Sequence, residues 1–567
     1  MLSEIITSTE NINFIYKKEQ LGAVYTPNLI SDWICRYIST IICKNGTILD
    51  PTSGDGSLLY SASKYFQNPL IGVDINHKEL IKVHQRFIKN DLQTFCFDGL
   101  NPSSKLNTLK FWKIFLDTHN IKTIISNPPW GINIKHSNSN LKDNGFDLAS
   151  GQFDSYDLFI EILTKAAKLG TILAFIIPDS IFLNEHKNLR KYILDNCNIK
   201  LIARLGEGIF KKVNRGTSIL ILEKGQKENN VIECFRLNRL FKNNILLNNI
   251  SIDEAYETLV HSVKQSRFKI NSNYLFDIDV KDEDIVYKKI EQINSMKIEN
   301  YCLTGRGIEI SKYGKLLECP KCNFSYSIPL KPKTINCKCG HSFLSTNVKE
   351  KIIITKNKGN SNFVPLIVGE DVQRYSVKNS RFIMKDVKGI NYKTKEHFKM
   401  KKMLVRKTGI GIKASIDKTG ALTNQVVFHY IPKKDGKTPE FILEYLVGIL
   451  SSRTMLAYYL KKYGENEWRT HPYITQKIIS ELPIPCIKNE ENYRIAEKIA
   501  QLVNKLNKYP NLKLDMEIEK CVMKLYSLNK NDFSWVMNVL EESQQLEPIK
   551  TLIVHDYKKY FKDTDEL

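Results

Sequence analysis

Ile124-Ile125-Ser126-Asn127-Pro128-Pro129-Trp130 is the stretch from which the rest of this chain is read. An apolar strand runs into Asn-Pro-Pro-aromatic. Two prolines remove two backbone donors and set two φ angles, and the residue before a proline is steered away from the helical region, so the turn is stiff. The strand tip therefore presents the Asn127 amide and its neighbouring carbonyls rigidly, with the Trp130 plane beside them. A planar exocyclic amine such as adenine N6 needs this combination: acceptors for two N–H bonds and a face to stack on. Its lone pair is delocalised into the ring. Hydrogen bonds to the Asn127 side-chain oxygen and the Pro128 carbonyl favour a pyramidal nitrogen with the pair aimed at an electrophile. Catalysis of that kind rests on positioning and electrostatics, with no covalent enzyme intermediate.

Upstream, Thr47-Ile48-Leu49-Asp50-Pro51-Thr52-Ser53-Gly54-Asp55-Gly56-Ser57 reads as a strand, a Gly-bearing loop and the start of a helix. Glycines there let backbone approach a ligand. A second strand, Leu70 to Ile75, carries Asp74, an acid about 20 residues past the Gly-rich turn, where a ribose hydroxyl partner sits in doubly wound sheets. A third strand, Thr94 to Phe97, ends at Asp98, an acceptor for a cofactor's adenine amine. Neither Gly-x-Gly-x-x-Gly nor a P-loop Gly-Lys-Ser/Thr accompanies these pieces.

Together they resemble the S-adenosylmethionine-dependent DNA adenine-N6 methyltransferases of the TaqI-like type, over most of the chain. The resemblance implies a doubly wound, Rossmann-like α/β methyltransferase sheet. A mixed α+β target-recognition domain with a zinc-ribbon insertion follows, then a C-terminal helical segment. It implies cofactor contacts from Tyr25, Thr26 and Pro27 of the opening motif Gly22 to Pro27, from Asp50, Pro51, Gly54 and Gly56, and from Asp74 and Asp98. The catalytic set it implies is Asn127, Pro128, Pro129 and Trp130, with Trp where Tyr or Phe is more usual. Phe210 is implied as a second aromatic against a flipped base, and Phe159 at that base's edge. The implied substrate is double-stranded DNA within a restriction-modification system, with a separate cognate restriction endonuclease as a further partner. The alternatives are an RNA adenine-N6 methyltransferase, a protein-glutamine methyltransferase and a non-catalytic DNA-binding specificity subunit. Residues 300–490 disfavour the shorter protein-directed enzymes, and an intact Asn127-to-Trp130 motif disfavours the non-catalytic reading.

The chain has 567 residues, 25% charged and 42% hydrophobic, with a net charge of +22. That length suits two or three domains, and that charge suits a polyanionic partner. No run reaches the roughly 18 apolar residues of a membrane span, and the N-terminus lacks a signal-peptide layout. A cytoplasmic, prokaryotic protein without membrane contact is expected. Of 12 cysteines, four cluster: Cys319 and Cys322, then Cys337 and Cys339, with His341 close behind. Two close pairs across a hairpin give zinc-ribbon spacing, and His341 is an alternative to Cys339 as fourth ligand. A closed four-ligand site is structural, not catalytic.

The expected organisation is a catalytic domain over 1–230 led by a short helix at 1–19, and a polar connection over 231–300. A recognition domain over 301–489 follows, with the ribbon at 316–345, and then helices over 490–567. Phe441 to Lys462 reads as one helix. The basic stretch 393–413, with Lys393, Lys395, Lys399, Lys401, Lys402, Arg406, Lys407 and Lys413, reads as a phosphate-contacting surface. Arg374 and Arg406 are the arginines expected to read bases or grip phosphate. Pro178-Asp179 with Glu185-His186-Lys187 imitates a nuclease pattern. It falls where a methyltransferase sheet needs a strand end, and is read as accidental. About 19 residues before the first motif leave no room for an N-terminal nuclease.

Overall fold

The computed structural model describes residues 26–42, 45–87, 92–132, 134, 136–210, 215–329, 331–357, 362–378, 380–392, 400–464 and 473–561. The expected helix at 1–19 and Tyr25 lie outside these residues. The chain divides into two compact units, Met1–Glu283 with Lys462–Arg469, and Asp284–Lys461 with Thr470–Leu567.

The first unit is built on nine strands: β1 (Thr47–Asp50), β2 (Leu70–Asp74), β3 (Leu92–Cys96), β4 (Ile121–Ser126), β5 (Ile172–Pro178), β6 (Cys197–Gly206), β7 (Thr217–Lys224), β8 (Val231–Arg236) and β9 (His261–Lys264). They form one sheet in the order β3-β2-β1-β4-β5-β7-β6-β8-β9. β1 to β5 pair in parallel, and β7 enters antiparallel between β5 and β6. All seven residues of β5 are buried, as a strand covered on both faces requires. The covering helices are α1 (Asn28–Ser39), α2 (Ser57–Tyr65), α3 (His77–Arg86), α4 (Thr108–Thr118), α5 (Asn138–Asp143), α6 (Ser155–Ala166) and α7 (Lys187–Asn196). Trp33, Trp112, Phe111 and Phe97 are among the largest side chains fully buried here. Strand order reverses between β1 and β4, and the crevice outside the carboxyl ends at such a point is where open α/β sheets bind ligands.

Residues 231–300 are not the unpatterned connection expected. β8 pairs with β6 and β9 with β8, so the first half of that stretch completes the sheet. Its many asparagines serve as caps and turns; Asn238, for example, caps the helix Arg239–Leu246.

The second unit holds two four-stranded sheets. One orders Cys302–Arg306, Val427–Pro432, Lys402–Arg406 and Ala414–Asp417; the other orders Ile354–Thr355, Arg381–Met384, Phe363–Ile367 and Leu422–Thr423. The expected helix over 441–462 is two, Ile442–Leu450 and Arg453–Tyr463. The break at Ser451-Ser452 is stabilised from outside, because Arg374 donates to the Ser451 carbonyl and the Arg453 and Thr454 N–H groups donate to Glu519. The C-terminal segment is helical, with Glu490–Lys508, Leu512–Leu525 and Asp532–Glu541. Gly448 lets the first of these approach Ile442–Leu450, since a Cβ there would stand 2.2 Å from Ile499 Cγ2. Among the described residues no helix is long and apolar enough to cross a membrane.

Candidate active site and metal centre

Because β1 to β4 are parallel neighbours, their carboxyl ends share one edge of the sheet. Asp50 and Asp74 close β1 and β2, Asp98 follows β3, and Asn127 follows β4. The loop after β1 is held by the acids themselves. The Thr52 N–H donates to Asp50 Oδ1 at 3.1 Å, the Gly54 N–H to Asp74 Oδ2 at 2.8 Å, and the Asn76 N–H to Asp74 Oδ1 at 2.7 Å. Gly56 precedes α2 at φ 79°, where a side chain would be strained and its Cβ would meet Val83 at 3.0 Å. Burial pushes the Asp74 carboxyl up to about 6, against the pull of the Asn76 and Gly54 N–H groups. Burial also holds Asp50 well above the usual carboxylate range, and the Asp74 and Asp55 charges add to that.

The Asn127-to-Trp130 turn meets this loop across the strand reversal. Thr52 Oγ1 and Ser126 Oγ lie 2.8 Å apart, and Asn127 Nδ2 donates to Thr26 Oγ1 at 3.2 Å. The turn is held from behind as well. Ser155 Oγ donates to the Pro129 carbonyl at 2.5 Å, the Gly131 N–H to Asp154 Oδ1 at 2.7 Å, and Trp130 Nε1 to the Ile176 carbonyl at 3.2 Å. Asp154 also caps α6 in a capping box with Asp157, so the helix start and the turn share one carboxylate.

Trp130 and Phe210 come together, both buried, with ring centroids 5.9 Å apart and planes at 61°. They touch edge to face, so a base lying between them requires one ring to turn. Phe159 is buried and packs beside the Asp98 loop, where a Cβ on Gly99 would stand 2.7 Å from its ring.

Asp98 has a neighbour that sequence patterning does not reveal: His136 Nε2 is 3.1 Å from Asp98 Oδ2, and that bond raises the imidazole pKa. Ser155 and Thr52 were likewise missed as partners of the turn, since small hydroxyl residues in loops give no periodic signal. Of the nuclease-like residues, Asp179 accepts from Arg204 Nε at 2.7 Å and Ser218 Oγ at 2.6 Å, His186 pairs with Asp157 at 2.8 Å, and Glu185 and Lys187 are exposed.

In the second unit, Cys319, Cys322, Cys337 and Cys339 converge, with all Sγ atoms within 4.8 Å of one another. Sγ atoms are 3.7 Å apart in the Cys319–Cys339 pair and 3.4 Å in Cys322–Cys337. A tetrahedron with Zn–S bonds of about 2.3 Å has edges of about 3.8 Å, so the set fits zinc. Short hairpins present the two knuckles, Lys315–Glu318 with Ser325–Ser327 and Thr334–Asn336 with Ser342–Leu344. His341 stacks on Phe343 and does not belong to the four-sulfur cluster.

The basic stretch divides. Lys393, Lys395 and Lys399 lie outside the described residues. Lys402 is fully buried and donates to Asp417 at 2.6 Å, and Lys401 pairs with Glu444 at 2.6 Å. Lys413 is half-buried, and Lys407 lies over the Tyr473 ring at 5.7 Å. Arg374 grips Asp515 through two bonds of 2.6 and 2.7 Å, so it clamps the helix Leu512–Leu525 and is not available to read bases.

Known proteins share this plan. The TaqI-like C-terminal specificity domain family matches residues 364–484. The methylase subunit of the type I restriction enzyme MpnII of Mycoplasma pneumoniae is 25% identical over 231 residues, 37% of this chain and 42% of that protein. Protein YtxK of Bacillus subtilis is 28% identical over 195 residues, 32% of this chain and 54% of its own length. The matches thus span about half the length of these curated relatives. The type IIL restriction-modification enzyme MmeI, solved in complex with DNA, shares the fold at a TM-score of 0.54 and 14% identity, over 95% of this chain and 81% of that one. The N-6 DNA methylase family matches residues 13–304, more than half of the sequence and all of the sheet edge that carries Asp50, Asp74, Asp98 and Asn127. On that match the chain belongs to the N-6 DNA methylase family.

Proposed function

We propose that this chain transfers a methyl group from S-adenosylmethionine to N6 of an adenine flipped out of double-stranded DNA, as the modification component of a restriction-modification system. The observation that carries the reading is the Asn127 amide, held by Thr26 beside the Asp50–Gly56 loop at the strand reversal. The donor set suits the cofactor. Asp74 offers acceptors to a ribose diol and Asp98 to an adenine amine. Burial, with smaller contributions from neighbouring acids, raises the Asp50 and Asp74 carboxyls, and a cationic ligand would favour their ionised forms. When bound, S-adenosylmethionine supplies an electrophilic methyl group on a sulfonium.

The protein's part is positioning. Asn127 Oδ1 and the Pro128 carbonyl accept the two N6–H bonds and aim the nitrogen lone pair. The bonds from Ser155, Asp154 and Trp130 hold the turn so that little reorganisation is needed. A paired adenine cannot bring N6 to a strand-edge crevice, so the base leaves the helix and stacks on Trp130 or Phe210. We assign catalysis to the first unit, base recognition to residues 301–489, and a structural zinc to Cys319, Cys322, Cys337 and Cys339. A complete four-thiolate set leaves the metal no open position.

The test is modification-aware sequencing of DNA from a methylation-deficient host expressing the protein. N6-methyladenine at one recurring motif is expected, and it disappears with Asn127→Ala. Unmodified DNA from the wild-type expressor, with cofactor bound, overturns the reading.

A further inference from the structure

A cavity of about 250 Å³ opens in the second unit between the end of strand Phe363–Ile367, the end of strand Lys402–Arg406 and the segment 424–426. Its walls are apolar at Ile310, Val368 and Val426, polar at Asn424 and Gln425, and charged at Arg406, Lys312 and Glu370. Arg406 differs from the other arginines of this region, of which Arg306 spends its Nε on the Gln425 carbonyl. Arg374 and Arg453 are gripped by Asp515, and Arg381 by Asp371 and Glu370. Arg406 has no carboxylate partner among the described residues, and its Nε is buried with no hydrogen bond. Burial lowers its pKa, opposed by the charge of Glu370. Glu370 is itself paired with Lys312 and Arg381. The guanidinium is confined nonetheless: its Nε is buried and it lies beside Gly409, where a Cβ would stand 3.5 Å from its Cζ. A second group is also unmet: Asn424 is 2% exposed and its Oδ1 has no partner.

Leaving a held guanidinium and an amide oxygen unsatisfied costs free energy that a bound ligand would recover. The ligand must suit a partly apolar cavity and must carry two adjacent acceptors for the donor fork of Arg406. A phosphate has the acceptors, but it gains nothing from apolar walls and lacks the donor that the N4 amine of guanine's paired cytosine presents to an amide oxygen. An adenine edge pairs a donor with an acceptor and suits Asn or Gln, whereas guanine presents O6 and N7, both acceptors. Resting on the proposed function, we propose that this cavity is a specificity pocket in which Arg406 reads one guanine of the target sequence through O6 and N7.

The experiment compares wild type, Arg406→Ala and Arg406→Lys by modification-aware sequencing in the same host, with cofactor binding and zinc content as folding controls. Wild type should give a motif containing a guanine. Both variants should accept other bases at that one position while keeping the rest, losing roughly 5- to 150-fold of discrimination, the worth of one bidentate contact. Arg406→Lys keeps the charge, so an unchanged motif with activity lowered equally at all sites identifies a phosphate contact and overturns the proposal. So does a wild-type motif without guanine. Absence of any wild-type motif instead contradicts the methyltransferase reading itself. A second measurement needs no variant: 7-deazaguanine placed at each guanine of the duplex in turn should weaken wild-type binding at one position. Indifference at every position overturns the pocket.

Discussion

Asn127 donates its Nδ2 to the Thr26 hydroxyl at 3.2 Å, joining the turn after β4 to the segment before α1. With Nδ2 engaged by the hydroxyl, the Asn127 amide is anchored at the strand-edge crevice. Thr26 is expected from the sequence to contact cofactor, and in the structure its hydroxyl accepts from the Asn127 amide.

Asn127→Ala should therefore abolish methyl transfer and leave S-adenosylmethionine binding nearly intact. Thr26→Val should lower kcat about tenfold, the effect of one neutral hydrogen bond at the upper end of its usual worth. Tritium transfer to DNA and calorimetric cofactor titration separate the two. Normal transfer by Asn127→Ala contradicts the assignment.

Asp74 predicts a pH dependence. Its folded pKa of about 6 lies above the ordinary value for Asp, so the folded chain takes up a proton between about pH 6 and 4 that the unfolded chain does not. That uptake favours the fold as pH falls, because the buried carboxylate is neutralised. It also removes an acceptor from the ribose and weakens the bond to Gly54. Cofactor affinity should drop as pH is lowered through about 6. Asp74→Asn should bind more weakly, by roughly 1.5–3 kcal/mol, with a flat pH profile. An equally steep profile in the variant would place the titrating group elsewhere.

The four-cysteine cluster should hold one zinc per chain. Cys319→Ser with Cys322→Ser should lose it and unfold the ribbon locally, with cofactor binding by the first unit spared. Metal analysis of purified protein and differential scanning fluorimetry provide the readouts. A metal-free protein with an unchanged melting profile goes against it.

Lys402 and Asp417 form an ion pair excluded from water, at 0% and 1% side-chain exposure. Lys402→Ala leaves a buried carboxylate alone and should destabilise the second unit by about 3–5 kcal/mol in urea melts. A loss below 1 kcal/mol, accompanied by weaker DNA binding, would return Lys402 to the phosphate surface expected from the sequence.

Base flipping has a direct optical test. With 2-aminopurine at the target position, binding should raise fluorescence as the base unstacks. Trp130→Ala should reduce turnover more than overall DNA affinity, because phosphate contacts dominate the latter. The opposite pattern would make Trp130 part of the binding surface.

The sequence by itself determined the strand-end residues. Asp50, Asp74, Asp98 and Asn127 are legible because an acid or amide directly after a short apolar strand is a local pattern, and a parallel sheet brings all such ends to one edge. The two cysteine pairs were legible for the same reason, since their spacing within a hairpin is local. Tertiary structure alone decided which polar residues are consumed by the fold. Lys402 and Arg374 look like Arg406 in sequence, yet Asp417 on the paired strand and Asp515, distant along the chain, claim the first two and leave Arg406 without a carboxylate among the described residues. It alone showed that Asn-rich residues after 230 complete the sheet, that Trp130 and Phe210 meet edge to face, and that Thr26, Ser155 and His136 attend the site. A charge or hydroxyl reports its chemistry from any position, but its partner is set by packing between segments remote in sequence, which no local pattern encodes.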